Sequence, residues 1–169
     1  MGVRIRPVRS EEWEKVRDLR LEALKDTPIA FGERYEDAVR LSADEWQART
    51  ARSVQGQSTT KWVAEAADGR WVGTMTGYRD GTRDGWVLAV YVAPDFRGRA
   101  AGVADRLLDA VLDWGRNEAR VARLVLEVRE DNEAARRFYT RRGFAETGNV
   151  QPYPLDPAFK EIEMSLQLP

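Results

Sequence analysis

Apolar and polar positions divide the chain into short strands and helices that follow one another closely. Val3 to Arg6 alternates apolar with basic side chains, the period of a half-buried strand. Beyond Pro7, Ser10 stands as an N-cap before Trp13, Val16, Leu19, Ala23 and Leu24, which recur at helical spacing until Thr27 and Pro28 stop the helix. The stretch PIAFGERYED that follows keeps no period and is expected as a loop. Ser42 and Glu45 form a capping-box pair that opens a second helix ending near Ala51, and SVQGQSTT, residues 53–60, is a polar loop. Trp62 to Ala66 and Trp71 to Tyr78 flank the turn-forming pair Asp68-Gly69 and predict a hairpin.

After the turn RDGTRDG, the run from Trp86 to Val92 is almost entirely apolar, which predicts a central strand covered on both faces. Val103, Leu107, Leu108, Val111, Leu112 and Trp114 then keep helical spacing as far as Gly115, and LVLEV, Leu124 to Val128, reads as a strand. Asn132 caps a further helix through Tyr139 to Arg142, and Gly143 ends it. Phe144 to Thr147 and Lys160 to Leu168 are the last two strands, placed around a Pro-rich loop. This order, with one strand-helix-strand crossover at mid-chain, predicts an α/β (mixed α+β) fold with a mixed sheet.

Composition narrows the chemistry. With 169 residues, 43% hydrophobic and 33% charged, the chain is expected to form one domain over residues 1–169. No leader and no apolar run near ~20 residues is present, so a cytoplasmic protein without a membrane segment is expected. Zero Cys and zero His remove disulfides, thiolate nucleophiles, imidazole bases and nearly every transition-metal site, so no metal is expected. The groups left are Tyr, Ser/Thr, carboxylates, Lys/Arg and the backbone. With 27 basic and 28 acidic residues there is no global field to draw nucleic acid, and Arg136, Arg137, Arg141 and Arg142 on one helix make no wider basic footprint.

Two segments carry candidate chemistry. In VAPDFRGRAAG the small residues Ala100, Ala101 and Gly102 leave the backbone bare where a helix begins, and bare amides at a helix N-terminus attract anions. The turn has neither the Lys-Ser/Thr pair of a P-loop nor the three spaced glycines of a dinucleotide fingerprint. Further on, directly after a strand, Asn132, Ala135, Tyr139, Gly143 and Phe144 stand at the spacing N-x-x-A-x-x-x-Y-x-x-x-G-F.

Together these segments resemble the GNAT superfamily of acyl-CoA-dependent N-acyltransferases. The resemblance implies a mixed, mostly antiparallel central sheet with a splayed parallel strand pair, flanked by about four helices, and acetyl-CoA as cosubstrate. It assigns the coenzyme's pyrophosphate to Arg97, Gly98, Arg99, Ala100, Ala101, Gly102 and Val103. The pantetheine arm is assigned to the strand residues Val90, Tyr91 and Val92 and to the helix carrying Asn132 and Ala135. Ala100 replaces a family glycine, a departure that matters if the position needs a positive φ.

By position Tyr139 is the proton donor to the leaving thiolate. The strand from Trp86 to Tyr91 lacks the carboxylate that many relatives carry there. Glu127 in LEVREDN is similarly placed to a proposed base of the ribosomal-protein N-terminal alanine acetyltransferases, and a water relay is the alternative. Strand alternation sets Glu127 with Val125 and Arg129, opposite Leu124, Leu126 and Val128.

The acceptor pocket is assigned to two loops, with Phe31, Glu33 and Tyr35 in the first and Tyr153 beside Gln151 and Asp156 in the second; Glu33 and Asp156 are candidates to attract a cationic amine. The implied activity is acetyl transfer from acetyl-CoA, by direct attack, to a primary amine of a small molecule or a peptide N-terminus. The alternative is a non-catalytic acyl-CoA-binding or regulatory module of the same fold. Dimers are frequent in the family, so the resemblance favours a homodimer.

Overall fold

The structure is a computed structural model that describes residues 2–169. Its elements are β1 (Val3–Pro7), α1 (Trp13–Asp26), α2 (Tyr35–Ala38), α3 (Ala43–Arg52), β2 (Thr59–Ala66), β3 (Trp71–Arg79), β4 (Asp84–Val92), α4 (Val103–Asn117), β5 (Arg123–Arg129), α5 (Glu133–Arg141), β6 (Ala145–Pro152) and β7 (Lys160–Gln167). The strands form one seven-stranded sheet in the order β1-β2-β3-β4-β5-β7-β6. Every neighbouring pair is antiparallel except β4 and β5, which α4 joins by a crossover. Among the described residues no helix is long and apolar enough to cross a membrane.

One face of the sheet is closed by α4, whose apolar stripe of Val103, Leu107, Leu108, Val111 and Trp114 is fully buried. The helix lies unusually near β3: a Cβ on Gly77 would stand 2.6 Å from the Trp114 ring, so only glycine admits that approach. Alternation puts Thr76 on the opposite face. There the Lys61 ammonium donates to the Thr76 hydroxyl at 3.1 Å. Burial, with Arg20 of α1 and Arg49 of α3 nearby, pushes its pKa down to about 7. Helices α1 and α3 thus cover this face over β2 and β3.

Several boundaries differ from those the sequence predicts. Ser10 opens a 3-10 turn rather than capping α1, because Glu12, held by Arg6 at 2.7 Å, accepts the Arg9 N–H at 3.0 Å instead. The stretch 28–37 expected as a loop contains the start of α2, a single turn that buries Ala38. Strand β2 begins at Thr59, inside the expected polar loop. Strand β6 extends to Pro152, well past Thr147; all its residues are exposed, so it carries no apolar alternation for a period to reveal. The Ser42–Glu45 capping box is present, with both reciprocal bonds formed.

Candidate active site

Strands β4 and β5 pair only from Asp84–Arg123 to Trp86–Val125. Beyond that point each follows a different neighbour. Strand β5 stays zipped to β7 along its whole length, while β4 follows β3 through a bulge in which Thr74 and Thr76 stand opposite Tyr91 and Leu88. The extra residue is accommodated at Ala89, whose φ is 53°. A left-handed non-glycine residue costs about 1–2 kcal/mol, so the surrounding pairing holds it there.

The result is a gap through the sheet with a cavity of about 650 Å³. The Ala93 N–H bonds the Val72 carbonyl, so by alternation the Val92 N–H and C=O face the gap. The carbonyl accepts from Arg97 Nε at 2.7 Å.

The turn between β4 and α4 needs a positive φ at two positions, and both are glycine: Gly98 at 98° and Gly102 at 60°. Ala100 is not among the left-handed residues, so the loss of a glycine there costs no backbone strain. Among the described residues nothing accepts the N–H of Arg99, Ala100 or Ala101, while the Gly102 N–H bonds the Gly98 carbonyl at 3.2 Å. These donors precede the orphan amides of the first turn of α4, where the helix dipole is positive. Val103 itself opens α4 and is buried.

Arg97 turns back into the wall, pairing with Asp26 and lying over the Tyr91 ring at 5.7 Å. Arg99 and Gly98 instead line a second cavity of about 1070 Å³ between α4 and α5. Val92, Arg97 and Ala134 line both cavities, so the two adjoin along these residues.

Tyr139 and Glu127 meet at the gap although they belong to opposite faces of the sheet. Tyr139 is buried on α5 between Phe138 and Phe144, with ring centroids 5.0 and 5.4 Å away in edge-on contact. Its hydroxyl has no hydrogen-bond partner among the described residues, and the residue lines the 650 Å³ cavity. Burial pushes its phenol well above the ordinary value, so it stays protonated at neutral pH. Glu127 lines the same cavity from the other face, because the gap perforates the sheet there.

The Glu127 carboxylate accepts from Gln151 Nε2 at 2.6 Å. Its pKa is raised by burial and by the charges of Glu161 and Glu163. Asn132 caps α5, its side-chain oxygen accepting the Ala135 N–H at 3.3 Å. Val90, Tyr91, Val92, Asn132 and Ala135 all line the gap.

Of the residues assigned to the acceptor, Phe31 lines the cavity, whereas Glu33, Tyr35 and Tyr153 do not. Glu33 is held at 2.8 Å by both Arg20 and Arg49. Burial pushes its pKa up, but the two guanidinium groups outweigh that and leave it lowered. Tyr35 lies under the Lys25 ammonium at 4.5 Å. The Tyr153 hydroxyl donates to the Phe31 carbonyl at 2.5 Å, tying the two acceptor loops together.

The cavity lining that sequence reasoning missed includes Arg20, Glu161, Trp86 and Leu88. The apolar run on β4 predicted cover on both faces. Leu88 is nonetheless 42% exposed: β5 turns away beyond Trp86, and α1 meets β4 further on, at Tyr91, whose hydroxyl donates to Glu22 at 3.1 Å.

The sequence matches the acetyltransferase (GNAT) family over residues 13–144. The chain belongs to that family. It is 34% identical over 87 residues to N-alpha-acetyltransferase 30 of Schizosaccharomyces pombe, a match covering 50% of this chain and 56% of that protein. The chain therefore spans about half the length of such curated relatives.

The fold is shared with an acetyltransferase of the GNAT family from Streptococcus pneumoniae, at a TM-score of 0.83 and 16% identity over 99% of this chain and 100% of that one. It is shared too with the PaiA N-acetyltransferase of Thermoplasma acidophilum, crystallised with coenzyme A, at a TM-score of 0.78 and 19% identity over 99% and 100% of the two chains.

Proposed function

We propose that the protein transfers an acetyl group from acetyl-CoA to a primary amine of a small molecule or a peptide N-terminus. One observation carries this reading: the gap between β4 and β5 is lined by the phenol of Tyr139, whose hydroxyl has no partner among the described residues, and adjoins a turn with a row of bare amides. Backbone donors without a protein partner at the start of a helix are a place where an anion is bound. The names of the fission-yeast relative and of the coenzyme A-bound fold neighbour support the same chemistry.

Acetyl-CoA supplies an acyl group activated as a thioester. The N–H groups of Arg99, Ala100 and Ala101 and the start of α4 suit a diphosphate, with the Arg99 guanidinium adding charge. The exposed edge of β4 at Val90 to Val92 pairs with an extended amide chain as a further strand would, and the Val92 N–H polarises an acyl oxygen in the gap. Asn132 and Ala135 fix the start of α5 against the same chain.

An amine arrives at neutral pH mostly protonated, since its reference pKa is ~10.4. Glu127, raised above the ordinary carboxylate range, accepts that proton in the cleft. Tyr139 donates its proton to the departing thiolate, and the second N–H proton that the nitrogen sheds as the amide forms restores the phenol, which its raised pKa keeps protonated at neutral pH.

The test is thiol release from acetyl-CoA across a panel of primary amines, beside calorimetric titration of coenzyme A. Amine-dependent release is expected. Tight coenzyme binding with no release for any amine would replace this reading by a non-catalytic acyl-CoA-binding module.

A further inference from the structure

Beyond Trp86 the sheet presents an apolar surface that no helix covers. Tyr78 stands opposite Trp86 and Thr76 opposite Leu88, so alternation puts Tyr78, Trp86 and Leu88 on one face. Tyr78 and Leu88 are each 42% exposed, and the only other exposed large apolar residues among those described are Val39 and Val150. Singly exposed apolar residues are ordinary; two flanking a tryptophan at the mouth of a cleft are a surface with a use. The Trp86 indole is held in place by its N–H, which donates to Asp80 at 3.1 Å. Trp86 and Leu88 both line the 650 Å³ cavity.

Facing this strip from the other side of the gap are carboxylates that no basic side chain among the described residues pairs with, although Arg129 stands across from Glu161 and both Arg129 and Arg20 line the gap. Glu127 and Glu161 line the gap and also a second hollow of about 320 Å³, which Glu163 completes. Their partners are neutral: Gln151 donates to Glu127 at 2.6 Å and to Glu161 at 3.2 Å, and Thr147 and Asn149 donate to Glu163 at 2.7 and 3.0 Å. The arginines of β5 are engaged elsewhere, Arg123 with Asp84 and Arg129 with Asp131. Tyr139, a buried residue whose hydroxyl has no partner among the described residues, lines the same space. The acceptor side is therefore divided, with an anionic wall on β5 and β7 and an apolar wall on β4.

Given the acetyltransferase reading, on which this rests, we infer that the acceptor is a primary ammonium bearing a large apolar arm, its charge drawn to Glu127 and Glu161 and its arm laid across Leu88 and Trp86. A polycation satisfies the carboxylates but leaves the apolar wall wet. A small amine leaves that wall wet as well. An α-amino acid brings a carboxylate against an anionic wall.

The test compares kcat/KM for 2-phenylethylamine, phenylalanylglycinamide, ethylamine, 1,4-diaminobutane and phenylalanine. At least one of the first two is expected to exceed each of the others tenfold or more. Whichever of the two is faster assigns the ammonium to a free amine or to a peptide N-terminus. Leu88→Ser is expected to shrink the preference for the apolar amine over ethylamine at least threefold, with an unchanged melting temperature as the control for folding. Equal or better turnover of ethylamine, 1,4-diaminobutane or phenylalanine would overturn the inference, as would a preference that Leu88→Ser leaves intact. Should no amine be acetylated, the catalytic reading fails separately. Calorimetric titration of 2-phenylethylamine against ethylamine on the coenzyme-loaded chain then decides the acceptor class by the same tenfold criterion.

Discussion

Two clusters of like charge lie on the same face of the sheet and are treated in opposite ways. Under α1 and α3, Arg20, Arg49 and Lys61 crowd together, and Glu33 is clamped between the two arginines. On β5 and β7, Glu127, Glu161 and Glu163 crowd together with neutral partners only. The first cluster is roofed by helices and carries its counter-charge inside the fold. The second opens onto two hollows, and none of its carboxylates is in an ion pair among the described residues, Arg129 beside it being paired with Asp131. Like charges held together without a counter-charge raise the energy of the folded state and shift each other's titration, so their persistence points to a ligand that supplies the missing sign. The fold spends its helices on one half of the face and leaves the other half for chemistry.

The sharpest way to break this contrast is to make one substitution in both halves. Glu33→Gln removes the carboxylate held between Arg20 and Arg49 and is expected to cost about 3 kcal/mol at pH 7, the low end for breaking a buried pair because these side chains keep some exposure. Glu163→Gln in the open half is expected to change stability by less than about 0.5 kcal/mol. Because the Glu33 pKa is lowered by folding, its contribution is present above the unfolded carboxyl value and is lost as pH falls through the folded one. The gap between parent and Glu33→Gln in urea midpoint should therefore close on acidification. Equal losses for the two variants at pH 7 would abolish the distinction between the clusters.

A second substitution tests rate rather than stability. Tyr139→Phe keeps the ring between Phe138 and Phe144 and removes only an unpartnered hydroxyl, so folding and coenzyme affinity should barely change. Single-turnover acetyl transfer should slow ~100-fold, the lower end for a general acid because a thiolate leaves readily. A rate within about twofold of the parent would return Tyr139 to a packing role.

The contrast also separates what the sequence discloses from what it hides. Features written in neighbouring residues were legible: the apolar stripe of α4, the Asn132 cap, the Ser42–Glu45 box, and the turn in which Gly98 and Gly102 take left-handed conformations. Features set by partners distant in the chain were not. Glu33 read as a free loop carboxylate because its arginines stand 13 and 16 residues away. Leu88 read as core because an apolar run does not say where its covering helices stop. The bulge at Ala89 has no local signature, since alanine in a central strand is unremarked, yet it opens the gap. The extension of β6 beyond Thr147 to Pro152 carried no signal, because an edge strand exposed along its length has no buried face to give a period.

In the anion turn a smaller effect is expected. Gly102→Val places a β-branched side chain at a φ of 60° and crowds the first amides of α4. Coenzyme A affinity should fall about tenfold, ~1.4 kcal/mol, in calorimetry. Ala100→Gly, at a position with no positive φ, should leave affinity within about twofold, since neither backbone strain nor a donor changes there. Equal weakening by both substitutions would mean that the turn acts through general flexibility instead of through the direction of its amides.

The smallest effect bears most directly on the open cluster. Glu127 is raised by burial, by Glu161 and by Glu163, and Glu163 stands directly across from it on β7. Where Glu127 takes the amine's proton it must be ionised, so activity falls on the acid side as Glu127 becomes protonated. Glu163→Gln removes one of the charges that hold its pKa up, and the acid limb of the kcat/KM profile should move to lower pH with kcat on the plateau little changed. Glu161→Gln should move it the same way, but it also removes a charge facing the acceptor and should raise KM for a cationic amine, a split that Glu163→Gln should not produce. An acid limb that stays fixed in both variants would exclude Glu127 as the titrating group and leave a water relay to carry the proton.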